Sequence, residues 1–201
     1  QTIDDAPPVG LCGSGLIDAV AQLYKRGLMD ATGRMRSAEE LGGKIPGSLA
    51  SRLITVDGVR AFVLATEEET GGRRILFSQK DVRQLQFAKG SIAAGIRVLM
   101  KEMGVTPDDV QEVLLAGAFG SYIHPDAARL IGLVPAVPLS RIRAVGNAAG
   151  EGAKIALLSY REREAAEVMP SRVEYIELSG REDFNDIFMG GLGFPPIYSL
   201  P

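Results

Sequence analysis

With 201 residues, 46% of them hydrophobic and 23% charged, the chain has an ordinary globular composition and enough length for a sizeable core. The net charge of -3 argues against nucleic-acid binding, and no apolar run approaches the roughly 18–20 residues that span a bilayer. We therefore expect neither a nucleic-acid partner nor a membrane segment. The lone Cys12 and the lone His124 exclude an internal disulfide, a cysteine-only iron–sulfur cluster and a histidine-rich metal site, and one cysteine fits a cytoplasmic protein.

The first residues have the character of a linker. Residues 1–9 are polar and contain prolines, which predicts an extended or turn conformation. Because the chain begins with Gln1 rather than Met, we expect it to be a fragment of a longer protein.

A glycine-rich stretch, Gly10-Leu-Cys-Gly-Ser-Gly15, leads into the first predicted helix, which Gly27 ends. Gly13 and Ser14 would lie at the helix N-terminus, where free N–H groups and the helix dipole favour an anion. The alternative is that Ser14 only caps the helix and the glycines allow close packing on a sheet. The apolar residues that define one helix face are Leu16, Ile17, Val20, Leu23 and Tyr24.

The next part of the chain predicts β-structure. Residues 30–52 show no clear period, which indicates a surface excursion with a short helix near Ser37–Leu41. Two β-like runs, Arg60–Ala65 and Arg73–Ser78, flank a turn-rich segment and predict an antiparallel hairpin. The acidic residues between the runs indicate a solvated loop rather than a metal site.

The clearest predicted helix is Ser78–Met103, with Ser78 and Asp81 forming a capping box and Gly104 providing the stop. Lys89 fills a gap in its apolar stripe, where a desolvated ammonium is costly unless it is paired. Lys89 either extends its head to solvent or points into a cleft toward a phosphate or ribose, with Gln86 one turn earlier. The apolar stripe is Val82, Leu85, Ile92, Ile96, Leu99 and Met103.

Two apolar runs of strand length each end in small residues. Val113–Ala116 stops at Gly117-Ala-Phe-Gly120, before a predicted helix over Pro125–Leu130, and Ile142–Val145 stops at Gly146-Asn-Ala-Ala-Gly150. A glycine turn between a strand and a helix lets the backbone approach a ligand phosphate or ribose. A plain structural turn, or close helix–sheet packing, is the alternative at each corner.

The last part of the chain predicts three elements. Arg161–Glu167 continues or follows a helix, and Val173–Leu178 alternates with period two, which predicts a half-buried strand. Glu182–Met189 predicts a final short helix before an irregular tail.

Alternating strands and helices predict an α/β arrangement, and parallel strands would bring both glycine corners to the sheet edge where ligands bind. Neither corner matches a P-loop or a Rossmann fingerprint. A Ser–His–Asp triad is not expected, because Gly13-Ser-Gly15 lacks the nucleophile elbow and only His124 could act as base.

Several of these segments resemble known motifs. Val113–Ser121 resembles the adenosine motif of the superfamily of actin, sugar kinases and heat-shock ATPases, and Gly146–Gly152 resembles its second connecting helix. More closely, the chain resembles the C-terminal domain of reductive activators of corrinoid proteins. The segments that carry this resemblance are Gly10–Asp18, Asp81–Gly90, Leu115–Pro135 and Val173–Phe184.

The resemblance implies an actin-like, ribonuclease H-like ATPase fold: a layered α/β half with a mixed sheet flanked by helices. It also implies that residues 1–201 are a single C-terminal portion of an ASKHA-type domain. Within it, 1–9 would be a linker remnant, 10–160 the main α/β body, and 161–201 the closing strand, helix and tail.

Activators of this family carry an N-terminal [2Fe-2S] ferredoxin domain and use ATP to drive an electron onto an inactive cobalt(II) corrinoid in a methyltransferase system. The resemblance therefore implies ATP or ADP with Mg²⁺ as the ligand and a corrinoid protein as partner. It places the [2Fe-2S] cluster upstream of this chain and leaves a homodimer open.

The resemblance also implies site residues. The first corner would line the adenosine, the long helix would reach the ribose or phosphates, and the start of the first helix would border the cleft. The residues expected at the site are Gly13, Ser14, Gln86, Lys89, Gly117, Ala118, Gly120, Ser121, Asn147 and Gly150.

The superfamily's two Asp-x-Gly phosphate motifs are absent from this chain; Asp57-Gly58 is the nearest candidate, and its neighbours do not fit. Phosphoryl transfer depends on positioning and charge neutralisation, so we expect no metal ligand here and no turnover by this piece alone. It would be a half-site that at most binds adenosine.

Two other functions stay open at this point. The chain could be a non-catalytic binding or dimerisation module that retains the fold. It could also be a sugar- or acid-kinase relative, although Asp18 and Asp81 are poor catalytic candidates because both lie early in helices.

Overall fold

The structure, a computed structural model, describes residues 2–197, apart from the side chains of Ile3, Ala118 and Phe119. The tail beyond residue 197 lies outside the described residues. No helix in the described range is both long and apolar enough to cross a membrane. The helices in this range are α1 (Gly13–Lys25), α2 (Ala38–Leu41), α3 (Gly47–Ala50), α4 (Glu67–Thr70), α5 (Gln79–Glu102), α6 (Gly117–Tyr122), α7 (Pro125–Leu130), α8 (Ala148–Leu158), α9 (Tyr160–Val168) and α10 (Phe184–Leu192), and the strands are β1 (Leu53–Val56), β2 (Val59–Ala65), β3 (Ile75–Ser78), β4 (Val113–Ala116) and β5 (Ile142–Gly146).

Helix α1 supplies Ile17, Val20, Ala21, Leu23 and Tyr24 to the main hydrophobic core. Gly27 ends it with a positive φ of 70°, which a residue without Cβ adopts readily, and the Leu28 N–H donates back to the Leu23 carbonyl at 2.9 Å. The predicted apolar face is confirmed, with Leu16 only partly buried.

Strands β1, β2 and β3 form an antiparallel sheet in that order. The predicted pairing of β2 with β3 is confirmed, and β1 is an additional strand that pairs with β2 from Leu53–Phe62 to Val56–Val59. Asp57 and Gly58 join β1 to β2 with φ values of 50° and 75°, as a two-residue hairpin requires. Asp57-Gly58 is therefore a hairpin turn.

Residues 30–52 contribute to the core instead of forming only a surface excursion. Met35 and Leu41 are buried in the main cluster, and Ile45 and Leu49 pack against it. Arg60 on β2 holds the excursion in place, because its guanidinium donates to the Glu40 carboxylate at 2.8 Å. Hydrogen bonds from Arg60, and then from Arg34, lower the pKa of Glu40 to about 2.

Helix α5 begins and ends as predicted. The Ser78 hydroxyl accepts from the Asp81 N–H at 3.3 Å, and the Asp81 carboxylate accepts from the Ser78 N–H at 2.7 Å, which completes the capping box. The predicted apolar stripe is correct for the first half of the helix and wrong for the second, since Ile92, Leu99 and Met103 are about half exposed or more. The buried residues are Val82, Leu85, Gln86, Lys89, Gly90, Ala93, Ala94 and Val98.

Helix α10 packs against the small residues in the middle of α5, and this packing explains the shifted stripe. A Cβ added at Gly90 would lie 2.9 Å from Leu192 Cδ2 and 3.3 Å from Phe188 Cε2. Glycine at residue 90 therefore permits a close helix crossing that large apolar side chains would block. A periodicity search that counts only large residues misses such a face.

Strands β4 and β5 form a separate two-stranded parallel sheet, in register from Val113–Ile142 to Leu115–Ala144 and then, after a shift, Ala116–Gly146. The α/β class is confirmed. Within the described residues the strands are divided between two sheets, one antiparallel and one parallel.

The segment after β5 is largely exposed. Helices α8 and α9 have no buried residue, and Leu158 is 85% exposed. The predicted strand over Val173–Leu178 is wrong: this stretch has no regular secondary structure, and Tyr175 is 80% exposed. Period-two alternation does not make a strand where no neighbouring strand supplies hydrogen bonds.

The α5–α10 crossing can be tested with two matched glycine substitutions. We expect Gly90→Leu to lower the free energy of unfolding by about 1–3 kcal/mol, because the side chain collides with Leu192 and Phe188. Gly95→Leu is the control, since an added Cβ there meets only Leu178 Cδ1 at 3.7 Å, and we expect unchanged or slightly higher stability. Urea unfolding of both variants checks this; equal losses would contradict the close crossing.

Candidate functional site: two strand–glycine corners

The two glycine corners lie side by side. Because β4 and β5 are parallel and Ala116 pairs with Gly146, the residues that follow both strands emerge at the same sheet edge, as predicted. Gly117 and Gly146 have φ values of 85° and 68°, and an added Cβ on either would meet no atom within 4 Å. Both corners are therefore open, with backbone that another group can approach closely.

The first corner is more helical than expected. Gly117–Gly120 forms the start of α6 rather than a free turn, and the Ser121 hydroxyl donates to the Gly117 carbonyl at 2.8 Å within that helix. A Cβ on Gly120 would lie 2.9 Å from the backbone of Leu115, so this glycine serves the packing of α6 on β4. The side chain of Ala118 lies outside the described residues.

The second corner is capped by an amide. Asn147 is the N-cap of α8, and its Oδ1 accepts from the Gly150 N–H at 3.0 Å. Gly150 has no room for a Cβ, which would lie 2.5 Å from Asn147 Nδ2. The cap and the glycine thus form one tight unit at the start of α8.

The start of α1 holds Gly13 and Ser14, and α1 contacts α6. The helix is capped by Cys12 rather than by Ser14: the Cys12 sulfur accepts from the Gly15 N–H at 3.4 Å and lies 3.4 Å from the Ser14 hydroxyl. The Cys12 side chain is exposed. The Ser14 hydrogen bond, followed by that from Gly15, lowers the pKa of the Cys12 thiol.

Lys89 contacts the end of α10 and the tail rather than either glycine corner. The side chain is 1% exposed, so the alternative that its head reaches solvent is wrong. Its ammonium donates to the Gly191 carbonyl at 2.7 Å and to the Gly193 carbonyl, and it lies 5.0 Å from the centroid of the Phe194 ring. Burial, with a smaller contribution from Arg97, lowers the pKa of Lys89 to about 8.

Gln86 is equally committed to structural contacts. Its amide nitrogen donates to the Leu192 carbonyl at 2.8 Å and to the Thr32 carbonyl at 3.1 Å. Its amide oxygen accepts from the Arg83 guanidinium at 2.7 Å. Both amide hydrogens and the oxygen are therefore occupied, and Gln86 joins the loop between α1 and α2 to the end of α10.

The expected site residues thus form two groups. Gly117, Gly120, Ser121, Asn147 and Gly150 come together at the edge of the parallel sheet. Gln86 and Lys89 come together at the C-terminal end of α10, where a cation and an amide satisfy the last carbonyls of that helix. A role of Gln86 or Lys89 in nucleotide binding stays a prediction, and it would require each to leave its present partners.

The two corners offer open backbone that a ligand group could approach. Open glycines fit a ribose or a purine that approaches the backbone closely. In the described part of the chain no three acidic, histidine or cysteine side chains are grouped to hold a metal ion. The one cysteine cannot hold a [2Fe-2S] cluster, which needs four ligands from cysteine or histidine.

Comparisons with known proteins agree with this architecture. The reductive activator for a corrinoid, iron–sulfur protein has a solved structure that matches the whole chain with a TM-score of 0.84 at 30% identity, over 31% of its own length. The fold is thus that of an ASKHA-type domain. Residues 1–199 match the family described as the C-terminal domain of RACo, the ASKHA domain, and the chain belongs to that family.

Curated relatives extend the match. The corrinoid activation enzyme RamQ of Eubacterium limosum is 34% identical over 191 residues, which are 94% of this chain and 32% of the relative. A reductase of a Co(II) methylated-amine-specific corrinoid protein from Methanosarcina barkeri is 22% identical over 187 residues, 92% of this chain and 29% of that protein. The chain spans about a third of the length of these relatives and corresponds to the C-terminal domain of corrinoid reductive activators.

The exposure of the Cys12 thiol and its lowered pKa lead to a prediction about its reactivity. We expect iodoacetamide to alkylate Cys12 in the folded protein, with a pH–rate profile shifted to lower pH because Ser14 stabilises the thiolate. Ser14→Ala should move the profile upward toward the ordinary thiol value of about 8.5, while Ser91→Ala, on α5, should leave it unchanged. Identical profiles for all three proteins would contradict the role of Ser14.

The buried lysine predicts a pH dependence of stability. The folded pKa of Lys89, about 8, lies below the value of about 10.4 of an unfolded chain, so between these values the unfolded state binds more protons. The free energy of unfolding should therefore rise from pH 8 to about pH 10.4, by at most about 3 kcal/mol. Lys89→Met should remove this rise, and Lys80→Met, at an exposed position of α5, should keep it. Urea unfolding across this pH range gives the slopes, and equal slopes in all three proteins would count against the buried ammonium.

Proposed function

We propose that this domain forms the adenosine side of the nucleotide site in an ATP-dependent reductive activator of corrinoid proteins. The observation that carries the proposal is the pairing of two open glycine corners at one edge of a parallel sheet, in a chain that belongs to the RACo C-terminal family. Parallel α/β sheets bind ligands at this edge. The pocket would be lined by Gly117, Ser121, Gly146, Asn147 and the N-terminal turn of α8.

The site would be completed by another part of the full-length protein. The domain spans about a third of its curated relatives, so phosphate and Mg²⁺ ligands would come from residues outside it. Its parallel sheet has only two strands in the described residues, and Leu114 of β4 is 50% exposed. Parallel sheets are normally covered on both faces, which supports a further layer against this sheet in the whole protein.

The proposed activity belongs to the whole protein. ATP binding and hydrolysis would drive an electron from a [2Fe-2S] cluster, held elsewhere in the protein, onto the cobalt(II) of a corrinoid protein. The names of the relatives support this role, since one is a corrinoid activation enzyme and another a reductase of a corrinoid protein. Gln86 and Lys89 are left out of the proposed pocket, because their polar groups hold the end of α10.

A charge-matched pair of variants in the full-length protein tests the site. Asn147→Asp keeps a good helix N-cap but adds a negative charge at the corner, where it would repel the phosphates of ATP. We expect the affinity for ATP to fall by about tenfold, which is about 1.4 kcal/mol. Asn185→Asp makes the same change at an exposed position of α10 and should leave the affinity unchanged.

Isothermal titration of ATP and of uncharged adenosine into each variant gives the measurement. A loss for ATP that is larger than the loss for adenosine, and is confined to Asn147→Asp, supports the site. Equal ATP affinity in both variants places the nucleotide elsewhere. No heat with either ligand in the unmodified full-length protein favours the second candidate, a non-catalytic module, which the structural commitment of Gln86 and Lys89 also favours.

A further inference from the structure

An extended apolar surface is exposed on the segment that follows β5. This surface, named here the hairpin surface, consists of residues 148–178, which comprise α8, α9 and the irregular stretch after them. Its large apolar side chains that are at least half exposed are Ile155, Leu157, Leu158, Tyr160, Val168, Met169, Val173 and Tyr175. The largest apolar patch on a typical monomer covers roughly 300–600 Å², and eight such side chains, two of them tyrosines, reach or exceed this area. A surface of this kind is normally covered by a partner.

Helix α8 has the composition of a buried helix. Its residues are apolar or glycine around the whole circumference except for Glu151 and Lys154, and these two side chains pair with each other at 2.7 Å. A helix that is apolar on all sides is normally buried, because a solvated helix carries a polar face. Within this domain, however, α8 has no buried residue. The helix therefore lacks the cover that its sequence indicates.

Hydrogen bonds hold α8 and α9 together as a fixed pair. The Ser159 hydroxyl accepts from the Glu162 N–H at 3.3 Å and caps α9. The Arg163 guanidinium donates to the Ala156 carbonyl at 2.9 Å and to the Leu157 carbonyl at 3.3 Å, at the end of α8 where carbonyls lack helical partners. The apolar side chains are thus presented in a set geometry, so that covering them costs little ordering entropy.

The stretch 173–178 has the alternation of a strand but no neighbouring strand. Ile176 and Leu178 are partly buried, whereas Val173 and Tyr175 are exposed. The backbone N–H groups of residues 174–178 donate to no other described residue. Free backbone donors beside alternating side chains are the features to which an extended segment adds as a further strand.

We infer that, in the full-length protein, the hairpin surface is covered by the part of the same polypeptide that precedes this domain. The family is a C-terminal domain, and the match covers 32% of RamQ, so about two thirds of a protein of that kind lie outside it. A tethered segment meets the surface at an effective concentration of about millimolar, which a second copy in dilute solution does not reach.

The position of α8 supports the same occupant. The helix begins at Asn147, in the second glycine corner, and the proposed function has this corner completed by another part of the full-length protein. To this extent the inference rests on the proposed function. The part that supplies phosphate and Mg²⁺ ligands to the corner would lie directly beside the exposed side chains of α8.

Hydroxyl-radical footprinting of the full-length protein, without nucleotide, tests this inference. Met169 of the hairpin surface is 61% exposed in the domain, and the controls Met103, on the C-terminal end of α5, and Met189, on α10, are 74% and 58% exposed. We expect Met169 to be oxidised at least about fivefold more slowly than either control, because sulfoxide formation follows exposure. Mass spectrometry of the peptides gives the three rates.

Two matched leucine variants identify the contact. Leu158→Ser removes an apolar side chain from the centre of the hairpin surface and should raise the rate of Met169 oxidation by about threefold or more, because the covering segment loses a buried contact. Leu99→Ser makes the same change at a half-exposed position of α5 and should leave that rate unchanged.

Slow oxidation of Met169 that is independent of protein concentration, and that Leu158→Ser relieves, supports the inference. Equal rates for Met169 and the controls, or equal effects of the two variants, would overturn it. Protection that appears only at high protein concentration assigns the surface to a second copy, and protection that appears only after a corrinoid protein is added assigns it to that partner; both results overturn the inference. Since no nucleotide is present, the outcome is separate from the ATP titration of Asn147→Asp.

Discussion

The ammonium of Lys89 is the contact on which the architecture of this domain depends. It is buried, no carboxylate of the described residues pairs with it, and its charge is met by the carbonyls of Gly191 and Gly193 at the end of α10 and by the face of Phe194. The last carbonyls of a helix lack partners inside the helix and carry partial negative charge, so a cation there satisfies both needs. The side chain of one helix therefore caps another.

The cap that Lys89 forms on α10 lies among contacts that join α1, α5, α10 and the tail. Phe194 belongs to the main core and lies 5.4 Å from the Tyr24 ring, centroid to centroid, while the Tyr24 hydroxyl donates to the Pro195 carbonyl at 2.7 Å. Gln86 joins the loop between α1 and α2 to the same helix end. The tail is thereby fastened to α1 and α5 together. The domain thus has a region where α1, α5, α10 and the tail are joined by hydrogen bonds, and a sheet edge where the glycine corners are open.

Much of this could be predicted from local sequence. Ser78 and Asp81 predict the start of α5, and Gly27 predicts the end of α1. The short apolar runs before Gly117 and Gly146 predict strands. These features could be read locally because caps and strand ends depend on nearby residues. The parallel order of the two corners followed from the α/β pattern. The family likeness was carried by the joint occurrence of several segments, none of them specific alone.

The errors share one physical cause, which is dependence on distant partners. The lysine at residue 89 looked like a ligand-binding candidate because its carbonyl partners lie more than a hundred residues later in the chain, at residues 191 and 193. The exposed half of the α5 stripe was misjudged because Gly90 and Ala93 form the contact with α10. The alternation over 173–178 predicts a strand only if a neighbouring strand exists, and the described residues provide none.

The position of the tail has a consequence for biogenesis. During synthesis the chain emerges from the ribosome in order, so the amino head of residue 89 must wait for residues 191–193 before it has acceptors. Until then the Phe194 ring cannot pack against Tyr24. The chain segment that the Lys89 contact closes, from residue 89 to residues 191–193, makes up more than half of the polypeptide. Vectorial folding of the domain can therefore begin early but cannot finish before its last stretch has been translated.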